Sequence, residues 1–320
     1  MTGILILNYN NEVDLKKCVT SIFHHINLDI VKILVVDNGS IESVRTRVSE
    51  FLQNISQSFK EINIDDPVGE LLKVNYLVLP CNVGYANGNN AGLSCLYGDK
   101  DISEILILNS DIVICDDIIP ILRTKLYELP NAGIVSPVLY KPNGKLDTCC
   151  ARKNYSKVDL LLTFSYLLKN VRQRRATMNK ILLQDPDALN KDFIEVELTS
   201  GSCMLFKKDV LFNIGGFDKN TFLYYEESIL FKKLQKQGKK TFLIPSANCI
   251  HTGGATTNST QNAYFLKKCN LDSLLYYCRE YEELNYWELT YIKCTGYIVL
   301  FRLYLGKIYK KCFMRGVINR

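Results

Sequence analysis

Apolar residues in the first 140 positions fall into short, nearly unbroken runs: GILILNY at 3–9, KILVVDN at 32–38, NYLVLP at 75–80, EILILNSD at 104–111 and GIVSPVLY at 133–140. Each run has strand length, is rich in β-branched residues and is bounded by Asn, Asp, Gly or Pro, the pattern of strands covered on both faces. Stretches of helical character lie between them, namely residues 12–26, 42–55, the segment after Gly84, and 116–129. This alternation predicts an α/β fold with a mostly parallel central sheet flanked by helices.

Beyond Tyr140 the alternation stops. Residues 151–192 are polar and basic around one apolar patch and read as an insertion or a lid. Residues 193–208 predict a strand pair or one long strand, 225–238 a helix, 240–245 a short strand and 250–257 a loop. The remainder, from about 260, predicts two helices. Three units follow: 1–140, 141–258 with the insertion, and 259–320 as a C-terminal helical extension.

Ligands of open α/β sheets sit at the carboxyl ends of the strands, where loops and helix N-termini converge. Four polar clusters occupy such ends: Asn8, Tyr9 and Asn10; Asp37 and Asn38; the stretch NVGYANGNNAG at 82–92; and Asn109, Ser110 and Asp111. In the third cluster Gly84, Gly88 and Gly92 recur every four residues, which on a helix lines them along one face and lets the backbone approach the sheet. Packing explains those glycines. It does not explain the amides of Asn82, Asn87, Asn89 and Asn90, which near a helix N-terminus either cap it or hold a ribose or phosphate. The spacing is not the GxGxxG of dinucleotide sites, which argues against a nicotinamide or flavin cofactor.

Asp37 either accepts hydrogen bonds from a nucleobase or ribose or caps the turn that follows. Asp111 closes an apolar strand, where a carboxylate needs a partner: a divalent cation, or the turn itself. His251, after another apolar run, is either structural or a second contact for the same ion. Glu226 and Glu227 open an amphipathic helix, whose dipole favours carboxylates there. Adjacent helical residues diverge by about 100°, so only one of the two points into a given site as a base.

Read in order, LILNYNN, VVDNGS, NVGYANGNNAG, LNSD, SGSCMLFKKDVLFNIGGFD, FLYYEESILFKKLQKQGKK and IHTGG resemble blocks of glycosyltransferase family 2, in particular its rhamnosyltransferase-like branch of bacterial surface-polysaccharide synthesis. The likeness runs over about residues 3–258 and implies a GT-A fold. It implies an inverting transfer from a nucleoside-diphosphate sugar, with dTDP-L-rhamnose favoured over a UDP-hexose or UDP-N-acetylhexosamine, to a glycan or lipid-linked oligosaccharide acceptor. It also implies that Asp37 contacts the base and that Asn8, Tyr9, Asn10, Asn38 and the loop with Asn82, Gly84, Asn87, Asn89 and Asn90 line the nucleoside pocket. Asn109, Ser110 and Asp111 stand in place of the DxD triplet, with Asp111 holding Mg²⁺ or Mn²⁺ and His251 a further metal or diphosphate contact. Glu226-Glu227 replaces the usual Glu-Asp, which puts the base at Glu227. A non-catalytic sugar-nucleotide-binding subunit is the alternative of another class.

The formal charge is +6, and the segment from Tyr291 onward holds seven Lys or Arg and no acid. Without that tail the chain is near neutral, which argues against a nucleic-acid partner. Residues 297–313 are apolar but carry Arg302 and Lys307, so they read as an interfacial helix with a peripheral membrane contact or as a helix docked on its own core. The C-terminal helices also offer a surface for a homodimer. Twelve cysteines without a CxxC pair, and an N-terminus that passes straight into a strand, predict reduced, packed thiols in a cytoplasmic protein.

Overall fold

A computed structural model describes residues 1–64, 69–253 and 263–318, with side chains to residue 306. Its strands are β1 (Thr2–Asn8), β2 (Val31–Asp37), β3 (Phe59–Asn63), β4 (Val74–Val78), β5 (Glu104–Asn109), β6 (Ile112–Ile114), β7 (Ala132–Tyr140), β8 (Ile194–Val196), β9 (Cys203–Lys207) and β10 (Lys240–His251). The helices are α1 (Glu12–His25), α2 (Glu42–Ile55), α3 (Gly84–Gly98), α4 (Ile118–Glu128), α5 (Lys157–Leu162), α6 (Lys169–Met178), α7 (Ile181–Gln184), α8 (Lys208–Asn213), α9 (Glu226–Lys236), α10 (Ala263–Glu280) and α11 (Tyr286–Ile318).

One sheet runs in the order β3-β4-β2-β1-β5-β9-β7-β10-β6, with β8 also paired to β10. Strands β3, β4, β2, β1 and β5 are parallel, β9 is antiparallel to β5 and β7, and β10 runs parallel to β7. Alternation along the strands feeds two cores. Ile4, Ile6, Ile33 and Val35 face the core shared with α1, α2 and α4, and Leu5, Leu34 and Val36 face the core under α3. Both faces are covered, so the runs are apolar throughout.

Several strands depart from the sequence expectation: β6 adds a short strand after β5, and β8 and β9 pair with other strands instead of with each other. The edge strand β3 reads FKEIN and buries only Ile62, so it shows no apolar run. Strand β10 is one long element instead of a short strand and a loop. It continues through the irregularity at 245–247, and His251 stands at its end, beside Ile112 of β6. The part of the expected loop at 254–257 lies outside the described residues. The stretch 151–192 folds into α5, α6, α7 and a short 3₁₀ turn, and α5 starts with a capping box of Ser156 and Asp159.

Every cysteine described is free. Most are packed as expected, but Cys81, Cys149 and Cys294 are exposed, and Cys149, on the short turn before the buried Cys150, lines a cavity. A third core sits under the C-terminal helices, where Leu271, Leu274, Tyr277, Ile292 and Leu300 pack with Tyr225, Ile229, Leu160 and Phe164. The inner face of α11 is therefore docked on the protein. Among the described residues no helix is long and apolar enough to cross a membrane.

The glycine spacing on α3 does what packing requires. A Cβ at Gly88 would stand 2.7 Å from Leu7 Cδ1, and one at Gly92 would collide with Leu5 and stand 2.8 Å from Val36 Cγ2. Replacing a helix-interior glycine by alanine ordinarily stabilises by up to about 1 kcal/mol. Here Gly92→Ala is expected to destabilise by about 1–3 kcal/mol through overpacking, read as a lower urea midpoint; a raised midpoint would mean that α3 has room to move off the sheet.

Candidate active site

The carboxyl edge of the sheet gathers the four polar clusters. Asn8 lies opposite Asp37, and Leu7 opposite Asn109, in the parallel register. Above this edge two adjoining cavities share Tyr85, Asn109, Asp111 and Leu223. The smaller, of about 180 Å³, is lined by Tyr9, Asn38, Asn82, Gly84, Ser110 and Phe222 besides those four. The larger, of about 520 Å³, adds Arg152, Tyr155, Ser202, Glu226, Glu227 and His251.

Several expected site residues hold the cavity walls together. Asn38 Nδ2 donates to Asn82 Oδ1 and to the Gly84 carbonyl, both at 3.1 Å, and Asn38 Oδ1 accepts from Val83 N at 3.0 Å. Asn10, at φ 49°, accepts from Ile41 N at 2.9 Å and donates its own N–H to Ser40 Oγ. Asp37 is fully buried beneath the cavity; its Oδ1 accepts from Ser40 N at 2.7 Å, and its Oδ2 has no hydrogen-bond partner. Both side-chain polar atoms of buried Asn8 are likewise without one. Gly84 begins α3 at φ +88°, against the Phe222 carbonyl, where any side chain would collide.

Asn87, Asn89 and Asn90 do not line either cavity. Their amides are spent on backbone: Asn87 on Val83 and Lys219 carbonyls, Asn89 on the Tyr85 carbonyl, and Asn90 on both polar groups of Phe217 at 2.9 Å. In place of the expected ligand contact, Asn87 and Asn90 fasten α3 to the loop before α9, whereas Asn89 bonds within α3 and its buried Oδ1 has no hydrogen-bond partner.

Asp111 stands at the seam of the two cavities. Its Oδ2 is 3.5 Å from His251 Nε2, and its buried Oδ1 has no hydrogen-bond partner. His251 Nδ1 lies 3.1 Å from Asp147 Oδ2. Burial opposes a charge on the ring, but hydrogen bonds with Asp111 and Asp147 outweigh it and push the imidazole up to about 9. The same hydrogen bond from His251 holds Asp147 down at about 2. Among the described residues no three His, Cys, Asp or Glu side chains form a ready ligand set. Asp111 Oδ1, an orphaned buried carboxylate oxygen, is the atom here that fits a hard cation, and the raised His251 beside it, on the wall of the larger cavity, fits an anionic diphosphate.

The acids on α9 differ in surroundings. Tyr224 and Tyr225 precede them with φ of 79° and 69°, a left-handed pair that turns the chain sharply into the helix. Glu226 is buried with Oε1 unpartnered; burial, reinforced by Glu227, pushes it up to about 8. Glu227 lies in the cavity, where Oε1 accepts from Gly201 N at 3.1 Å and stands 3.6 Å from the Arg152 guanidinium. Tyr85 O–H donates to the Gly201 carbonyl at 2.8 Å, which fixes the loop that positions Glu227.

Arg152, Asp147 and Ser202 were not legible as site residues. Asp147 precedes the insertion and Arg152 stands at its start, neither in a motif; the pairing of Arg152 with Leu198 and of β9 with β5 brings Arg152 and Ser202 here, and the bond of Asp147 N–H to the Leu139 carbonyl holds Asp147 by the end of β7. Tyr85 lies inside the glycine-asparagine stretch, and its place one residue into α3 was the available signal.

The profile of glycosyl transferase family 2 matches residues 3–215. The chain belongs to this family. It is 22% identical over 310 residues to the low-salt glycan biosynthesis hexosyltransferase Agl10 of Haloferax volcanii, covering 96% of this chain and 86% of that one. A shorter stretch of 52 residues is 38% identical to the N-acetylglucosaminyl-diphospho-decaprenol L-rhamnosyltransferase of Mycobacterium tuberculosis, covering 16% of this chain and 17% of the enzyme. The fold is similar to that of the mannosyltransferase PcManGT from Pyrobaculum calidifontis, solved with GDP-Man and Mn²⁺, at a TM-score of 0.54, 12% identity and coverage of 92% and 73%. The architecture is that of the GT-A glycosyltransferases, and this chain is a glycosyltransferase that uses nucleotide-sugar donors.

The acid pair makes a testable statement about stability. A carboxyl raised in the folded state from 4.5 to about 8 contributes stability at low pH that is lost as pH rises through that interval. Glu226→Gln removes the titration. It is therefore expected to flatten the fall in unfolding free energy between about pH 5 and 8, gaining on the order of 2–3 kcal/mol at the upper end. Parallel pH curves for the two proteins in urea unfolding would refute the burial argument.

Proposed function

We propose that the chain is an inverting transferase in which Glu227 is the base, acting on a hydroxyl of a growing, lipid-linked surface glycan. The observation that carries this reading is the placement of Glu227 and Asp111 on the walls of one cavity, with Tyr85 lining it too. The smaller cavity takes the nucleoside, between Tyr9, Asn38 and Asn82, and the larger takes the acceptor.

In the reaction the acceptor oxygen forms a bond to the anomeric carbon as the bond from that carbon to the diphosphate oxygen breaks. Glu227 takes the hydroxyl proton, and the electron pair of the broken bond leaves with the nucleoside diphosphate. One displacement inverts the centre, so no covalent enzyme intermediate is needed. Arg152 and Gly201 N–H orient the Glu227 carboxylate, and the raised Glu226 keeps a second negative charge from its side. Mg²⁺ or Mn²⁺, held by Asp111 with His251 beside it, would neutralise charge on the leaving diphosphate.

The short likeness to the L-rhamnosyltransferase supports dTDP-L-rhamnose as donor. The longer likeness to a hexosyltransferase supports a second reading with a UDP-hexose donor, on the same residues. The site is proposed to work on the cytoplasmic side of a membrane, with α11 near its surface.

Thermal unfolding in the presence of UDP, dTDP and GDP, each with and without Mn²⁺, separates the donors, because a ligand of the folded state raises the midpoint. A Mn²⁺-dependent rise with dTDP supports rhamnose and one with UDP supports the hexose reading; no rise with any of them would overturn the donor site. Glu227→Gln is expected to lower transfer by at least about 10²–10⁴-fold while that rise persists. Undiminished transfer in Glu227→Gln would remove it from the role of base.

A further inference from the structure

We propose that the connection before α6, α6 itself and the outward part of α11 form one docking face for an anionic bilayer, set beside the mouth of the larger cavity. This deepens the reading of a lipid-linked acceptor and rests on it, but its test reads binding alone.

The connection from α5 to α6 places Tyr166, Leu167 and Leu168 in succession at the surface, with Leu167 95% exposed. Single exposed leucines are ordinary, but contiguous apolar surface marks a contact site. Helix α11 supplies more. Its inner face packs through Ile292 and Leu300, and Gly296 fits against Leu271. Past Leu300 the helix leaves this support, and residues 301–306 are exposed on every side, Phe301 by 61%. Phe301, Leu303, Tyr304 and Leu305 are all exposed there, with Arg302 among them.

The two elements are one patch. The Arg302 guanidinium lies over the Tyr166 ring at 4.2 Å, joining α11 to the connection. Charge around the patch is mostly positive. Residues 169–178 include Lys169, Arg172, Arg174 and Arg175 and no acid, and residues 289–306 include Lys293 and Arg302 and no acid. The nearby acids are engaged: Asp159 with Arg175 at 2.6 Å and Glu288 with Lys157 at 2.6 Å.

This charge selects the occupant. A second copy related by symmetry would bring the same cations against each other, whereas anionic headgroups complement them and the acyl region receives Leu167 and Phe301. No helix among the described residues is fit to span, so the contact is a surface one. The position serves the site. Thr163 and Tyr155 line the larger cavity, Thr163 precedes the exposed run by three residues, and Arg172 Nη1 donates to the Thr163 carbonyl at 2.7 Å. Docking here brings the cavity mouth to the bilayer surface, where a lipid-linked hydroxyl is presented.

The full chain should float with vesicles of phosphatidylcholine containing one third phosphatidylglycerol, less so as salt rises, and remain unbound with phosphatidylcholine alone. The double variant Leu167→Glu, Leu168→Glu is expected to lower the partition coefficient at least about tenfold, and Arg174→Glu by a smaller factor. Both should keep the nucleotide-dependent rise in unfolding temperature, which separates this result from a failure of the donor site. Absence of binding, equal binding to both vesicle types, or unchanged binding of the double variant would overturn the proposal. A dimer in sedimentation equilibrium that the double variant dissolves would also overturn it, by giving the face to a second copy.

Discussion

The parallel register of β2, β1 and β5 is the constraint on which the cleft depends. It sets Asn8 beside Asp37 and Leu7 beside Asn109, so three polar strand ends that are far apart in the chain meet at one edge. The antiparallel β9 then delivers its start to the same edge, with Cys203 opposite Leu108 and Gly201 and Ser202 just before it. Register here is strongly enforced, because Ile4 and Leu5 belong to cores on opposite faces. A slip of one residue would turn each buried side chain to the wrong core. The chemistry at the edge is thus a by-product of packing at the centre.

That dependence explains what was legible in the sequence. Strands covered on both faces must be apolar throughout, so their positions and the polar clusters that close them could be read directly. The edge strand β3 escapes the rule because most of it faces solvent. His251 was assigned to a loop after the short run at 240–245; the strand passes Pro245 through the irregularity at 245–247, and pairing with β6 and β7 carries it onward. The asparagines show a different limit. An amide near a helix start has the same local signature whether it meets a ribose or a carbonyl. What decides for Asn87 and Asn90 is Lys219 and Phe217, more than a hundred residues away. Arg152 had no local signature at all.

The acid pair shows how a helix terminus can hold two adjacent carboxyl groups of different character. The dipole at the N-terminus favours negative charge at both positions, and burial opposes it at one. Glu226 loses that contest and is raised, while Glu227 is turned into the cavity toward Gly201 N–H and Arg152. The divergence of neighbouring side chains on a helix is enough to create the difference. A longer side chain at the second position, glutamate in place of aspartate, finds its hydrogen bond on a loop held by Tyr85.

The left-handed Tyr224 and Tyr225 are conformations that such residues rarely adopt, and they persist only where packing over-determines them. The C-terminal helices supply that packing. Tyr225 stacks on Tyr277 at 5.4 Å between centroids, Tyr277 stacks on Tyr281 at 6.0 Å, and Ser273 Oγ donates to the Leu223 carbonyl at 2.9 Å. Helix α11 in turn closes the same core through Ile292 and Leu300. The helices that present an outward apolar surface are therefore also the ones that hold the turn into the acid pair. The outward part of α11 thus lies one packed layer from the backbone that leads into Glu226 and Glu227.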